Sequence, residues 1–151
     1  MAFIQCLTDS FRVDLLNAVH NFGSDTINIA LYGPSANLDN TTTAYTATGE
    51  ISSSGYSAGG SALTGQTVNG ATGVSWVFWN NPTWTLNPTT QVQGCLIYNT
   101  TRSNKSILIL NFGTVQLPNP AGIFTVKFPP TPANSSNIGN SPIVNAVLIL
   151  G

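Results

Sequence analysis

The chain has 151 residues, of which 42% are hydrophobic but only 6% are charged, and its net charge is −1. Soluble domains usually contain about 25% charged residues, and nucleic-acid binding needs basic side chains clustered on one face, which four scattered cations cannot supply. No apolar run approaches the roughly 20 residues of a membrane-spanning helix, so we expect one domain over residues 1–151 that binds neither nucleic acid nor a membrane.

Uncharged polar residues take the place of the missing charges. Asn, Thr, Ser and Gln can be buried against another protein by pairing their hydrogen bonds, without the cost of removing an ion from water. A free monomer normally keeps charges on its surface for solubility. The composition therefore favours association with other chains, and a weakly soluble domain is the alternative.

The first predicted element is an amphipathic helix over residues 8–22. Its apolar residues follow the i, i+4, i+7, i+8 spacing of one helical face. These residues are Phe11, Leu15, Ala18, Val19 and Phe22. Thr8 or Asp9 is placed to cap the start of the helix, and Gly23 is placed to end it.

After Gly23 the pattern changes to the alternation of β-strands. Ile27, Ile29 and Leu31 alternate with Asn28 and Ala30, which predicts a strand that ends near Tyr32. Clusters of Gly, Pro and Asn separate the further candidates. These candidates are residues 46–52, 60–69, 73–80, 91–99, 105–113, 121–128 and 143–150. The spacing predicts a mainly β fold, an antiparallel β-sandwich or jelly-roll-like barrel with one short N-terminal α-helix.

The second half of the chain contains a clear hairpin and two irregular stretches. Residues 91–113 form two apolar runs around the polar tip TTRSN, and the second run is apolar on both faces, so we expect it to lie deep in the fold. Residues 80–90 and 128–142 are predicted to be irregular, and the prolines of the second stretch exclude a central strand. A loop of that length usually binds or embraces a neighbour.

No group of residues resembles a catalytic site, so we expect that the protein is not an enzyme. His20 falls on the predicted helix, without a recognisable nucleophile and orienting group. Asp9 is predicted to cap the helix, Asp25 and Asp39 lie in turn-like segments, and Asp14 could pair with a neighbour. Glu50 is expected to be an exposed strand or interface residue.

Neither a metal nor a cofactor is expected. The segment LDNTTTAY offers Asp39, Asn40 and hydroxyls, but it lacks the spacing of a calcium-binding EF-hand loop. Cys6 and Cys95 are isolated and lack zinc-ligand spacing. Because apolar residues flank both cysteines, we expect buried free thiols, with a disulfide between them as the alternative.

Aromatic residues are the candidate interface residues. Trp76, Phe78, Trp79 and Trp84 lie within nine positions, and a strand there would be bulky on both faces. Three interpretations are open: a strand buried between two layers, a protein interface anchored by tryptophan, or a platform on which sugar rings stack.

Tyr45 and Tyr56 complete the candidate interface, in the hydroxyl-rich segment TTTAYTATGEISSSGYSAGG at residues 41–60. This segment can be interpreted as a flexible loop followed by a Thr/Ser-rich strand. It can equally be an extended arm that pairs with the sheet of another subunit through main-chain hydrogen bonds.

Residues 18–60 resemble a group of small structural proteins of tailed bacteriophages. The shared features occur in order: a His-Asn-Phe turn (residues 20–22), an IALY strand (29–32), a small-residue loop (33–40), a TTAYT…GE segment (42–50) and a GY…GG step (55–60). The second half of the chain matches the group only through its β pattern.

The resemblance implies a virion protein without catalytic residues, of the capsid decoration (cement) type. Such a protein would bind the major capsid protein from outside as a homo-oligomer, and a trimer would match the three-fold sites of capsid lattices. The start MAFIQCLTDSF lacks the features of a signal peptide, so we expect synthesis in the host cytoplasm and a final location on the capsid surface. The alternatives are a tail, baseplate or head–tail accessory protein, and, in another class, a carbohydrate-binding module with exposed tryptophans.

Overall fold

The computed structural model describes residues 3–71, 74–128 and 148–150, which form one α-helix, one 3-10 helix and ten short strands. The helical segments are α1 (Asp9–Leu16) and the 3-10 helix Thr100–Arg102. The strands are β1 (Cys6–Leu7), β2 (Ile27–Tyr32), β3 (Ser61–Ala62), β4 (Thr67–Ala71), β5 (Val74–Phe78), β6 (Thr83–Thr85), β7 (Val92–Asn99), β8 (Lys105–Gln116), β9 (Ile123–Thr125) and β10 (Leu148–Leu150).

A five-stranded antiparallel sheet in the order β1-β8-β7-β2-β3 forms the centre of the fold. The predicted hairpin provides β7 and β8, with the 3-10 helix at its tip. Strand β2 pairs with β7 along its whole length, from Ile27 opposite Asn99 to Tyr32 opposite Gly94. Nearly every residue of β2 and β7 is buried, so both faces of this sheet must be covered.

Two smaller antiparallel sheets cover one face of the central sheet. They have the orders β10-β5-β4 and β6-β9. Their buried side chains join Phe11 of α1 and the central sheet in the larger of two apolar clusters. Contributors from the small sheets and the segment between them are Val77, Trp79, Trp84 and Phe124. The result is a mainly β, sandwich-like fold with one helix, which confirms the predicted fold class.

A loop without regular strands, residues 33–60, covers the other face with its first part. Its Ala36 and Leu38 are buried and its Tyr45 is half-buried against the second apolar cluster, which contains Tyr32 of the central sheet. This part of the loop acts as the third layer of the fold.

The last part of the loop reaches the first face, where Ile51 and Tyr56 pack against the larger apolar cluster. The loop forms no ladder with the sheet. It is joined to the sheet by isolated bridges, such as Glu50 with Tyr32, and by single main-chain hydrogen bonds, such as that from the Ile51 amide to the Leu31 carbonyl.

Helix α1 is shorter than predicted and ends at Leu16 instead of near Phe22. Thr8 caps its start, because the Thr8 hydroxyl accepts a hydrogen bond from the Phe11 amide. The prediction that Asp9 caps the helix is wrong, since Asp9 is the first helical residue. At its end Ala18 adopts a left-handed conformation with φ 54°, and the Val19 amide donates to the Asp14 carbonyl. These are the features of a Schellman motif, which usually needs glycine. His20 consequently lies in the loop after the helix, and its predicted helical position is wrong.

Several predicted strands also need correction. Residues 46–52 form no strand, because the β pairing of this segment is limited to the isolated bridge between Glu50 and Tyr32. The predicted strand at 60–69 is divided between β3 and β4, and β6 lies within the supposedly irregular residues 80–90. The long loop at 128–142 lies outside the described residues except for Phe128, and 143–147 of the last predicted strand lie outside them as well.

Both cysteines are free thiols, so the alternative of a disulfide is wrong. Cys95 is buried as expected, but Cys6 is only half-buried. Cys6 on β1 pairs with Ile109, and Cys95 on β7 pairs with Leu110, so strand β8 separates them. Burial raises the pKa of the Cys95 thiol, which keeps this thiol protonated. In the part of the chain that is described, no helix combines the length and hydrophobicity needed to cross a lipid bilayer.

Two glycines with positive φ provide a matched test of the loop's packing. Gly60 has φ 70° and a Cβ there would overlap the Ile29 carbonyl oxygen, whereas Gly113 has φ 80° and a Cβ there would meet no atom within 4 Å. Both alanine substitutions strain the backbone, but only Gly60→Ala also forces the loop away from β2. We expect Gly60→Ala to lower the free energy of unfolding by at least ~2 kcal/mol more than Gly113→Ala, measured by urea denaturation. Equal losses would contradict this packing.

Candidate interaction surface

Glu50 holds the loop layer in place. Its carboxylate accepts hydrogen bonds from the Tyr45 hydroxyl at 2.6 Å, the Tyr56 hydroxyl at 2.6 Å and the Gly59 amide at 2.8 Å. A half-buried carboxylate needs such donors because it has lost part of its hydration. Glu50 is therefore not the exposed strand residue that the sequence suggested, but the point where three parts of the loop meet.

All four tyrosines of the chain belong to this network. The Tyr56 hydroxyl also accepts from the Leu31 amide at 2.9 Å, which ties the loop to β2. The Tyr32 hydroxyl donates to the Thr46 carbonyl at 2.5 Å, and the Tyr98 hydroxyl donates to the Gly59 carbonyl at 2.7 Å. The rings of Tyr45 and Tyr98 stack with their centroids 4.9 Å apart.

The environment of the network keeps the tyrosine hydroxyls protonated. Burial, reinforced by the hydrogen bond to Glu50, raises the pKa of Tyr45 to about 12. Burial also raises the pKa of Tyr32, Tyr56 and Tyr98. The four hydroxyls therefore remain hydrogen-bond donors throughout the neutral pH range.

A second polar cluster joins the segment after α1 to the tip of the β7–β8 hairpin. The buried Asp25 carboxylate accepts from Arg102 at 2.9 and 3.0 Å, from the Asn99 side chain at 2.8 Å and from the Asn21 amide at 2.9 Å. Burial by itself would raise the pKa of Asp25, but these hydrogen bonds outweigh it and lower the pKa to about 2. Arg102 lies at the hairpin tip, where it is the ion-pair partner of Asp25.

His20 and Asp14 lie on the inner side of the same cluster. The His20 side chain has no exposed surface and packs against the rings of Phe11 and Phe22, which also contact each other. Its Nδ1 is 3.0 Å from the Asn99 amide nitrogen, and its Nε2 is 3.8 Å from Asp14 Oδ2. Lys105 pairs with Asp14 at 2.8 Å, the kind of contact expected for that acid.

The position of His20 is poorly suited to acid–base catalysis. Burial lowers the pKa of His20, and the neighbouring Asp14 and Asp25 carboxylates oppose this effect only in part. The ring is therefore neutral near pH 7, but a solvent-borne substrate cannot reach either of its nitrogens. The two remaining aspartates serve local structure: Asp9 pairs with Arg12 at 2.8 Å, and Asp39 accepts two hydrogen bonds from Thr41.

The structure separates the candidate interface residues into two groups. Trp79 and Trp84 are 0% and 7% exposed, so they belong to the core, and their assignment to an interface is corrected. The Trp79 indole donates to the Gln66 side chain at 2.7 Å, which satisfies its one polar atom in the interior. The interpretation of the segment as a strand buried between two layers therefore holds for the face of Val77 and Trp79, but not for the other face.

The other four candidates are half-buried. Trp76 and Phe78 lie on β5, while Tyr45 and Tyr56 belong to the Glu50 network. The Trp76 indole nitrogen is buried and makes no hydrogen bond with the described residues. A role of these four residues in an interface stays a prediction.

The stretch of sequence between Glu50 and Arg102 exposes no charged side chain, because residues 51–101 contain no Asp, Glu, Lys, Arg or His. We call the exposed residues of this stretch the uncharged surface. Its members include Ser52, Ser54, Ser57, Thr67, Val68, Asn69, Ser75 and Thr85. The composition revealed the low overall charge. The absence of charge from residues 51–101, a continuous third of the chain, was missed, although it can be read directly from the sequence.

Removing the Glu50 carboxylate should loosen the loop layer. Glu50→Ala leaves two hydroxyls and one amide without their acceptor, so we expect the free energy of unfolding to fall by ~2–4 kcal/mol in urea denaturation. Limited proteolysis should then cut within residues 33–60. Tyr45→Phe is the matched control: it removes one of these bonds and keeps the ring on Tyr98, so it should cost only ~1 kcal/mol. A smaller loss for Glu50→Ala than for Tyr45→Phe would contradict the assigned role.

The Asp25 cluster predicts a loss of stability in acid. The folded pKa of about 2 lies below the usual 3.8, so the stabilisation is complete above pH 4 and disappears as the pH falls from 4 to 2. Asp25→Asn should lower the free energy of unfolding by ~2–3 kcal/mol at pH 7 and flatten its decline over that interval.

Asp9→Asn is the control for this variant, because it breaks the exposed Arg12 pair and should cost less than ~1 kcal/mol at pH 7. Unfolding should be followed by circular dichroism from pH 7 to pH 2. An unchanged decline in Asp25→Asn would show that another group causes the acid sensitivity.

No protein-family model, curated protein or solved structure matches this chain. A functional proposal therefore depends on the residues and geometry of the chain itself.

Proposed function

We propose that the chain is a non-enzymatic structural protein of a tailed-bacteriophage virion, a decoration protein that binds the outer surface of the capsid and stabilises the head. The observation that carries this proposal is the uncharged surface between Glu50 and Arg102. Hydroxyl, amide and main-chain groups can be buried in a permanent contact at low desolvation cost, because each can be paired with a hydrogen bond and none is an ion.

The use of the ionisable groups also supports a structural role. Each of the five acids accepts hydrogen bonds from groups of the same chain. Three of them pair with cations: Asp9 with Arg12, Asp14 with Lys105 and Asp25 with Arg102. Charges that stabilise the fold in this way are not poised for acid–base chemistry, which would require a perturbed group open to a substrate.

The resemblance of residues 18–60 to phage structural proteins agrees with the positions of those residues in the fold. The IALY segment is most of β2, and the TTAYT…GE and GY…GG segments contain Tyr45, Glu50, Tyr56 and Gly59 of the network. The features that carry the resemblance are thus the ones that hold the loop layer.

In the proposed mechanism a rigid sandwich presents neutral contact surface to the major capsid protein. Each copy would bury a modest area, and many symmetric copies would add their contributions over the lattice. Since the contact lacks charge, it would depend little on ionic strength, unlike an interface held by ion pairs. Clamping of neighbouring capsomers in this way would resist the pressure of packaged DNA.

The burial of two tryptophans weakens the rival carbohydrate-binding function. A sugar platform needs an exposed ring face, and Trp79 and Trp84 offer none. Trp76 is half-buried, so only this tryptophan could contribute part of such a platform. A tail or baseplate protein of the same virion would share all the features above, and its location in the particle is what distinguishes it.

The proposal predicts a high copy number on phage heads. Virions should be purified, heads and tails separated by shearing, and the ratio of this chain to the major capsid protein measured by quantitative mass spectrometry. We expect near-stoichiometric copies that remain with the heads in 1 M NaCl, because the contact is uncharged. A few copies that follow the tails would replace the decoration role by the tail role. Absence from the particle would overturn both.

A further inference from the structure

The three-stranded sheet ends in an edge strand that nothing in its own sequence protects. Among the described strands β4 pairs only with β5, and residues 67–70 are exposed. An edge strand presents a row of main-chain N–H and C=O groups that can pair with another strand. Natural proteins usually block such an edge against pairing with other chains. An edge strand that is not blocked is therefore a candidate site for pairing.

The edges of the central sheet are built in a different way. They are formed by β1 and β3, which have two residues each and offer few groups for pairing. Strand β4 has five residues. It also lacks the lysines and prolines that commonly block longer edges, since its sequence is TVNGA.

An apolar side chain at this edge adds a reason for contact. Val68 lies opposite Val77 of β5, and directly opposed residues project from the same side of a sheet. Val77 is buried in the core, so Val68 lies on the core-facing side of the sheet, at its edge. Val68 is nevertheless 55% exposed. A strand added beside β4 would extend this side and cover Val68.

We propose that β4 pairs antiparallel with β4 of a second copy of this chain, about a two-fold axis at Asn69. The two three-stranded sheets would become one sheet of six strands. In this register Asn69 faces Asn69 of the second copy, and the two side-chain amides can hydrogen-bond to each other. Val68 faces Gly70 of the second copy, so a branched side chain meets the smallest residue.

The second copy is the occupant that β4 itself favours. A foreign strand would need a charge or shape signal to select it, and neither β4 nor its partner strand β5 contains a charged residue for that purpose. Identical strands, by contrast, place every residue of the Val68–Gly70 segment opposite a suitable partner in one register. Such pairing does not require a virion, so this inference goes beyond the proposed function.

The geometry has two consequences for assembly. Antiparallel pairing of identical strands is two-fold, so it produces dimers, and the trimer expected from capsid lattices would need a different surface. A contact centred on five residues is smaller than the ~1,200 Å² typical of stable complexes, so the dimer should be weak in solution. On a lattice, weak contacts between neighbours gain strength through multivalency.

A cysteine at the axis tests the register. Cys6 should first be replaced by serine, which leaves the fully buried Cys95 as the only natural thiol. In that background Asn69→Cys should form a disulfide-linked dimer under mild oxidation, because opposed Cβ atoms in an antiparallel pair are about 5 Å apart. Ser75→Cys is the control, since Ser75 is exposed on the same sheet but on interior strand β5. Equal crosslinking at both positions would overturn the proposal.

A charge at the axis tests the pairing without oxidation. Asn69→Lys places two like charges opposite each other, so we expect the dimer dissociation constant from sedimentation velocity to rise ~10–100-fold. Ser57→Lys adds the same charge to an exposed loop position and should leave the constant unchanged. A wild-type chain that is monomeric up to ~1 mM, or an equal effect of both lysines, would overturn the proposal.

The outcomes separate this inference from the proposed function. A β4 dimer of a chain that is absent from virions would support the pairing and reject the virion role. Abundant copies on phage heads, with no selective crosslinking of Asn69→Cys, would support the virion role and reject the pairing.

Discussion

The Glu50 carboxylate is the constraint on which this fold depends. The central sheet is apolar on both faces, and only one face is covered by other sheets. The second cover is a loop, which has no ladder of main-chain hydrogen bonds to hold its shape. A carboxylate solves this problem because it accepts several strong hydrogen bonds in different directions, here from Tyr45, Tyr56 and Gly59. Hydrogen bonds to one carboxylate thus hold this layer together, where a sheet would use a ladder of main-chain hydrogen bonds.

Other charged side chains also stabilise the fold. With few ions in the chain, each acid accepts hydrogen bonds from groups of the same chain, and residues 51–101 contain no ion at all. Two ion pairs, each of a buried acid with a partly exposed cation, join segments distant in sequence: Asp25 binds Arg102 and Asp14 binds Lys105. Such pairs fix one arrangement of the hairpin tip against α1 and the segment after it. Most of the acids are therefore used to hold the fold together, and the uncharged surface has none.

The sequence predicted the parts of the fold that follow local rules. Strands β2, β7 and β8 show clear patterns, and the cap at Thr8 follows a local rule. The helix end was missed because Ala18, a good helix former, adopts a left-handed conformation that residue preferences do not predict. The role of Glu50 was missed because Tyr45 and Tyr56 become its neighbours only when the loop folds over β2. Burial of Trp79 and Trp84 was one of the open alternatives, and sequence pattern alone cannot choose between core and surface aromatics.

The pairing of β1 with β8 has a consequence for the order of folding. Cys6 pairs with Ile109, and the cap residue Thr8 contacts Ile107. These contacts join residues that are about a hundred positions apart in the sequence, so they can form only after most of the chain has been synthesised. Contacts of such long sequence separation slow folding, because loop-closure entropy is lost before they form. During synthesis the apolar β2 emerges long before β7. With few charges to keep nascent chains apart, this interval is when the protein is most exposed to aggregation, and its yield in a cell would depend on chaperones and on the rate of translation.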